Sequence, residues 1–392
     1  MSIGQRRHSF GTTVHALQLP DVEQTSIPRT IHDTQSPRST LSPHALSSSS
    51  LESTKKDDRD VPRRPWWLPG AHLQTAWARL ARSRRLVTFE REVLTTSDGD
   101  ELILDHAPGP KNSPRVLLLH GLEGSAYSLH TQGLAVLVAH AGWCATVLNF
   151  RSCARDPADI RRRLPNRRPR LYHAGDTNDV DLVVKRLRRR EPSSPLYAVG
   201  FSLGGSVLLK WLGDSPNASL VDRAATISVP YDLEASSRFL ERPVGRLYVR
   251  HFTKRMKTKA LDVLRRFPRE TTHIDVARVR AARTVREFDE CLTAPLHGFA
   301  NAADYYDRVS AKQYLKGIAT PTLCINSEDD PFFPREALMD ARERASPSVE
   351  FRVTTWGGHT GFVAGPWPWR PSYWVEELVI DWLGQVAQAR VA

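Results

Sequence analysis

The sequence predicts an α/β domain built on a mostly parallel central sheet, with helices on both faces and a helical lid inserted over one edge. Three observations carry this. Beyond about residue 87, strand-like and helix-like segments alternate, the pattern of a parallel sheet connected through helices. Arg115-Val116-Leu117-Leu118-Leu119 is a short, nearly continuous apolar run, as expected of a strand buried on both faces. The stretch from about Asp232 to Glu290 reads as helical, basic and amphipathic, with no strand-like run. It is far longer than the usual connection of about 2–6 residues.

Residues 1–60 differ from the rest of the chain. They are rich in Ser, Thr, Pro and Arg, include the run Ser47 to Ser50, and lack sustained apolar periodicity. Such a segment buries too little surface to offset its ordering entropy, so a disordered tail is expected. Asp21, Glu23 and Asp33 argue against a transit peptide, because those are poor in acids. Order is expected from Pro65-Trp66-Trp67-Leu68-Pro69 onward, giving a domain over 61–392. Val87 to Leu94 and Glu101 to Asp105 read as strands joined by the turn Ser97-Asp98-Gly99-Asp100. After Arg115–Leu119 come a helix over Leu129 to His140 and a strand over Cys144 to Asn149. A helix around Gly175 to Arg189, a strand over Leu196 to Phe201 and a helix over Leu203 to Leu212 come next. Ala224 to Val229, Thr322 to Asn326 and Val349 to Thr354 supply later strands, and a helix over Tyr373 to Val386 closes the domain.

Lys and Arg number 55 against 43 Asp and Glu, a net charge of +12. Arginine concentrates between Arg151 and Arg190 and between Arg238 and Arg286. No nucleic-acid module accompanies it, so no nucleic-acid partner is expected. A solvated basic surface is the plainer reading of this charge; the alternative is an anionic or phospholipid-like substrate, or peripheral contact with an anionic membrane surface. Cys144, Cys153, Cys291 and Cys324 are scattered, with no CxxC pair and no His/Cys cluster. Neither a disulfide framework nor a zinc site is expected, and a reducing, cytoplasmic setting fits. No apolar stretch approaches the ~20 residues that span a bilayer. The longest candidate, Leu134 to Phe150, is interrupted by His140, Gly142 and Asn149. Ten tryptophans are more than usual for this length.

The sharpest local signal is Gly200-Phe201-Ser202-Leu203-Gly204-Gly205, set between the strand Leu196–Phe201 and the helix from Leu203. That is the strand–turn–helix context of a GxSxG nucleophile elbow, in which glycines let strand and helix approach while the turn presents the serine. A serine hydroxyl needs a histidine base, itself oriented by a carboxylate, and in this fold the order is Ser, acid, His. Gly357-Gly358-His359-Thr360-Gly361 offers the histidine, in a glycine-flanked loop after a strand. His251, in the basic stretch, and His297, between lid and core, are less well placed. Asn326-Ser327-Glu328-Asp329-Asp330-Pro331 comes after a strand and offers Asp330, with Asp329 beside it and Asp232 after the preceding strand as alternatives. The N–H of Leu203 and that of Leu122, in His120-Gly121-Leu122-Glu123-Gly124, are the candidate oxyanion donors. His120 and Glu123 are read as braces of that loop.

Together these segments resemble the YheT-like branch of the α/β hydrolases, beside the ABHD1/ABHD3 group and the fungal medium-chain ester synthases. Trp67-Leu68-Pro69-Gly70-Ala71-His72-Leu73-Gln74-Thr75 is similar to that family's HLQT signature. Leu171-Tyr172-His173-Ala174-Gly175, Ser228 to Leu233, Arg286-Glu287-Phe288-Asp289 and Ala294 to Phe299 extend the likeness over roughly 64–390. The resemblance implies a serine esterase or acyl transferase with Ser202, Asp330 and His359 as triad. It implies a departure too: where the family carries Gly-Cys-Ser-Gly after Asn149-Phe150-Arg151, this chain has Ser152-Cys153-Ala154-Arg155.

Three functions compete. Ester hydrolysis through an acyl-enzyme requires a small-molecule acyl ester and no metal or organic cofactor. Acyl transfer to an alcohol uses the same residues. A non-catalytic scaffold that binds through its basic lid has no need of all three triad residues.

Overall fold

The computed structural model describes residues 61–82 and 87–389; the expected tail over 1–60 lies outside them. Helix α1 (Ala71–Ala81) comes first, followed by strands β1 (Glu90–Thr95), β2 (Glu101–Ala107) and β3 (Arg115–Leu119). Helix α2 (Leu129–His140), strand β4 (Cys144–Asn149), helix α3 (Thr177–Arg190), strand β5 (Leu196–Phe201), helix α4 (Leu203–Asp214) and strand β6 (Arg223–Ile227) continue the alternation. The chain is then helical: α5 (Leu233–Leu240), α6 (Gly245–Arg266), α7 (Val276–Ala281), and α8 (Val285–Phe288), which passes through a π-helical turn (Asp289–Thr293) into α9 (Ala294–Leu296). Helix α10 (Ala302–Val309) leads to β7 (Thr322–Ser327), α11 (Arg335–Arg344) and β8 (Val349–Thr354). A hairpin of β9 (Ala364–Trp367) and β10 (Arg370–Ser372) precedes α12 (Trp374–Ala389).

The eight-stranded sheet runs β1-β2-β4-β3-β5-β6-β7-β8. Only β1–β2 and β2–β4 are antiparallel, so the sheet is mostly parallel, as the alternating pattern requires. Residue alternation in its strands feeds two cores. Leu117, Leu119 and Ala198 point to one side with Val183 and Leu187 of α3 and Leu208 of α4. Val116, Leu118 and Val199 point to the other with Leu134 and Val138 of α2 and Val379 of α12. Each Leu or Val among these, fully removed from water, contributes roughly 1.5–3 kcal/mol of burial. The helices between β6 and β7 have their own apolar cluster, including Ala260, Val263, Val279, Phe288 and Leu292.

The register brings four strand ends together. Leu119 pairs beside Gly200, Phe201 beside Ile227, and Ile227 beside Ile325. His120, Ser202, Ser228 and the Asp329–Asp330 loop, which continue from these ends, therefore emerge at one edge.

Strand β6 stops at Ile227, two residues before Val229, because Ser228 turns into left-handed backbone at φ 55. The divergent loop after β4 does something similar. Ser152, where the resemblance implies a glycine, takes φ 60. Its N–H donates to Asn166 Oδ1, and neighbouring Arg151 is buried in a carboxylate cage. Arg151 donates to both oxygens of Asp179 at 2.8 Å and to Asp98 and Asp100 at 2.9 Å. This hub ties the β1–β2 turn to α3.

Candidate active site

Strand β5 and helix α4 meet so closely at the elbow that only glycine fits. A Cβ at Gly200 would lie 2.6 Å from the Gly205 Cα, and one at Gly204 would lie 2.5 Å from the carbonyl oxygens of Leu119 and His120. Ser202 between them takes φ 50 and ψ −119, with its N–H donating to Ile227 O at 2.8 Å. This side chain is presented at the sheet edge by the local backbone alone.

His359 Nε2 lies 2.9 Å from Ser202 Oγ, and His359 Nδ1 lies 2.9 Å from Asp330 Oδ2. With Nδ1 carrying its proton toward the carboxylate, Nε2 presents a lone pair to the serine hydroxyl. Burial pushes the Asp330 carboxyl up, against the pull of His359 and of the Phe332 N–H. The Phe332 ring stacks on the imidazole at a centroid distance of 4.1 Å. Such a chain can pass a proton from the hydroxyl to the imidazole while the carboxylate stabilises the cation formed.

The other acids do different work. Asp329 Oδ1 accepts from Gly358 N at 2.9 Å and so shapes the histidine loop. Asp232 caps α5, accepting from Ala235 N at 2.9 Å, and pairs with Lys312 at 2.6 Å. The histidine alternatives also lie elsewhere. His251 on α6 meets Arg79 at 3.0 Å, and the His297 ring packs 4.5 Å from that of His173.

Two further residues hold the histidine loop. Thr75 Oγ1 accepts the His359 N–H at 2.8 Å, and Gln74, fully buried, bonds both the N–H and the carbonyl of Val363. Both lie in the HLQT segment, which gives that signature a physical role. Sequence reasoning noted the segment but assigned it no task.

The loop after β3 runs alongside the serine. A Cβ at Gly121 would lie 3.4 Å from Ser202 Cβ. Leu122 is the next residue, and Leu203 opens α4, where an N–H has no intrahelical acceptor. His120 and Glu123 brace this loop. His120 Nε2 accepts from Phe150 N at 3.1 Å, its Nδ1 meets Gly121 O at 2.8 Å, and burial drives its pKa down to about 4, so the ring is neutral. Glu123 takes left-handed φ 59 and is buried. Burial alone would raise its carboxyl, but Lys259 of α6 and Arg163, each at 2.6 Å, outweigh that and hold it at about 2.

Ser202 and His359 open into a cavity of about 910 Å³. One wall is apolar, with Leu171, Phe252, Met256, Phe288, Leu292 and Leu296. Arg79, Arg155, Arg161 and Arg255 also line it, and none has a carboxylate partner among the described residues. Burial, then repulsion from Arg163, holds Arg155 and Arg255 below the usual guanidinium range, with Arg255 adding to the effect on Arg155 and Arg79 to that on Arg255.

Comparison with known proteins adds to this geometry. The family described as alpha/beta hydrolase fold matches residues 114–366. YheT of Escherichia coli, an esterase by name, is 37% identical over 322 residues, 81% of this chain and 92% of its own length. ABHD3 of Bos taurus, a phospholipase by name, is 30% identical over 315 residues, 78% of this chain and 74% of its own. A monoacylglycerol lipase of Saccharomyces cerevisiae is 31% identical over 255 residues, 64% of this chain and 55% of its own.

Proposed function

This chain belongs to the α/β-hydrolase family, in the branch that holds YheT and ABHD3, and we propose that it hydrolyses carboxylic esters through a triad of Ser202, His359 and Asp330. The observation that carries the reading is the pair of 2.9 Å contacts joining serine, imidazole and carboxylate at the floor of the cavity. Ser202 Oγ attacks the acyl carbonyl and its proton passes to His359 Nε2. The N–H groups of Leu122 and Leu203 stabilise the oxyanion. His359 returns the proton to the leaving alcohol, and water then releases the acyl group from Ser202 by the same steps in reverse order.

The apolar wall suits an acyl chain, and the unpaired arginines suit an ester whose other part is anionic, as in a phospholipid-like molecule. Helices α5–α9 supply much of that wall and act as the lid, keeping bulk water from the acyl-enzyme.

Hydrolysis of a p-nitrophenyl ester tests the triad. Ser202→Ala is expected to lower kcat by on the order of 10⁵–10⁶, as loss of a serine nucleophile does elsewhere. A Ser202→Ala enzyme that kept near-native turnover would overturn the reading. For the anionic part, Arg255→Gln should raise KM for an anionic ester and leave a neutral one unchanged; equal effects on both would remove the arginines from recognition.

A further inference from the structure

Beside the cavity mouth the molecule leaves large apolar side chains in water. Trp66 and Trp369 are each 71% exposed and Trp367 is 44% exposed. They form one cluster: Trp66 meets Trp367 edge-on at 5.7 Å, and Trp367 stacks on Trp369 at 5.5 Å. The indole N–H of Trp66 donates to Pro366 O, which fixes the cluster to the β9–β10 hairpin. Trp67 bonds Gly365 O and packs 4.7 Å from Trp77 of α1. On α1, Leu73, Trp77 and Leu80 share one face by helical spacing. Leu73 and Leu80 are exposed, and Leu80 also lines the cavity. Helix α6 adds exposed Leu247, one turn before His251, which contacts Arg79 of α1. The apolar surface thus runs from the tryptophans across α1 to the entrance above Ser202.

The charged side chains on the segments that build this surface are basic. Residues 61–82, 242–261 and 363–373, which build it, contain no aspartate or glutamate. They carry exposed Arg63, Arg64, Arg246, Arg250, Lys254 and Arg370 instead. A contiguous exposed apolar patch of this kind marks an interaction site. Exposed tryptophan rings, leucines beside them and a cationic rim are the composition that settles at the headgroup level of an anionic bilayer. A second copy of the chain fits less well, since it would bring like charge against like.

We propose that this face, formed by α1, the β9–β10 hairpin and the start of α6, docks peripherally on anionic lipid bilayers and sets the cavity mouth against the lipid surface. The docking rests on the patch and its charge, not on the triad.

Co-sedimentation of the full chain with phosphatidylcholine vesicles, with and without phosphatidylglycerol, tests this. The wild type should bind the anionic vesicles with a blue shift of tryptophan fluorescence, and bind pure phosphatidylcholine far less. Trp66→Ser/Trp369→Ser should weaken anionic-vesicle partitioning by about tenfold or more, with hydrolysis of a soluble short-chain ester unchanged. Arg246→Glu/Arg250→Glu, on the solvent face of α6, should weaken it too. Undiminished binding by both variants, or no wild-type binding, would overturn the proposal. So would a wild-type dimer that the tryptophan variant abolishes while neither protein binds vesicles. Vesicle binding without any esterase activity would support the docking face and count against the hydrolase reading instead.

Discussion

Ser202 sits in backbone that an L-residue adopts at a cost of about 1–3 kcal/mol, and the packing at Gly200 and Gly204 holds it there. Elbow and histidine loop were both legible because each is written in contiguous residues with glycines at the close approaches. The acid was not. Asp232, Asp329 and Asp330 all come after strands, and only the reach of the His359 ring distinguishes them. Kinetics of three variants check the assignment. Asp330→Asn should lower kcat by about 10⁴, as loss of the orienting carboxylate does in serine proteases. Asp329→Asn should cost much less, through the Gly358 contact alone. Asp232→Ala should leave kcat intact and lower stability by about 1 kcal/mol through its lost cap. Thr75 and Gln74 were invisible as functional residues for another reason: their partners lie 284 and 289 positions away.

Among elements, the pairing of α6 with the loop after β3 matters most to the chemistry. Lys259, on α6, is buried against Glu123, adjacent to the proposed oxyanion donor Leu122. Lys259→Met leaves a buried carboxylate with Arg163 as its remaining ion partner, which should cost about 3–5 kcal/mol. Adding Glu123→Gln should recover part of that loss in urea unfolding; strict additivity would show that the two do not act as a pair. The π-helical turn after α8 holds a second buried carboxylate. Burial lifts Asp289 from 3.8 to about 6, despite hydrogen bonds from Thr293 and Tyr306. Between those values the folded protein keeps a proton that the unfolded chain has released. Stability should therefore fall as pH rises through that window, by about 1.4 kcal/mol per unit. Asp289→Asn removes this dependence, so its stability relative to wild type should rise from pH 4 to 7. A pH-independent difference would place the cost elsewhere.

The bounds of β3, α2, β4, β5 and β8 agree with those read from apolar runs and turn residues. Helix α1 and the β9–β10 hairpin carried no such signal. The inward face of α1 includes polar Gln74 and Thr75, spent on the histidine loop, and the hairpin is built of Trp, Pro and Gly rather than alternating β-branched residues.

Over the whole molecule, the net charge of +12 is unevenly used. Much of the arginine is locked in internal pairs such as Arg151–Asp179 and Arg115–Glu191. Arg155 and Arg255, without a carboxylate partner among the described residues, line the cavity, and Arg246, Arg250 and Arg370 rim the tryptophan face. Among the described residues no helix is long and apolar enough to cross a membrane. Hydrolysis of an ester carried on anionic vesicles should then fall as salt is raised, while hydrolysis of a neutral soluble ester stays level. Parallel loss of both would assign the salt effect to the catalytic site rather than to docking.

The central claim is that Ser202 is an activated nucleophile. A fluorophosphonate probe reacts with a serine only when a base has been arranged to take its proton, and peptide mapping identifies the serine labelled. The account predicts rapid labelling of the wild type on Ser202, none in Ser202→Ala, and strongly slowed labelling in Asp330→Asn. Labelling on another serine, or a wild type left unlabelled where control hydrolases react, would contradict it.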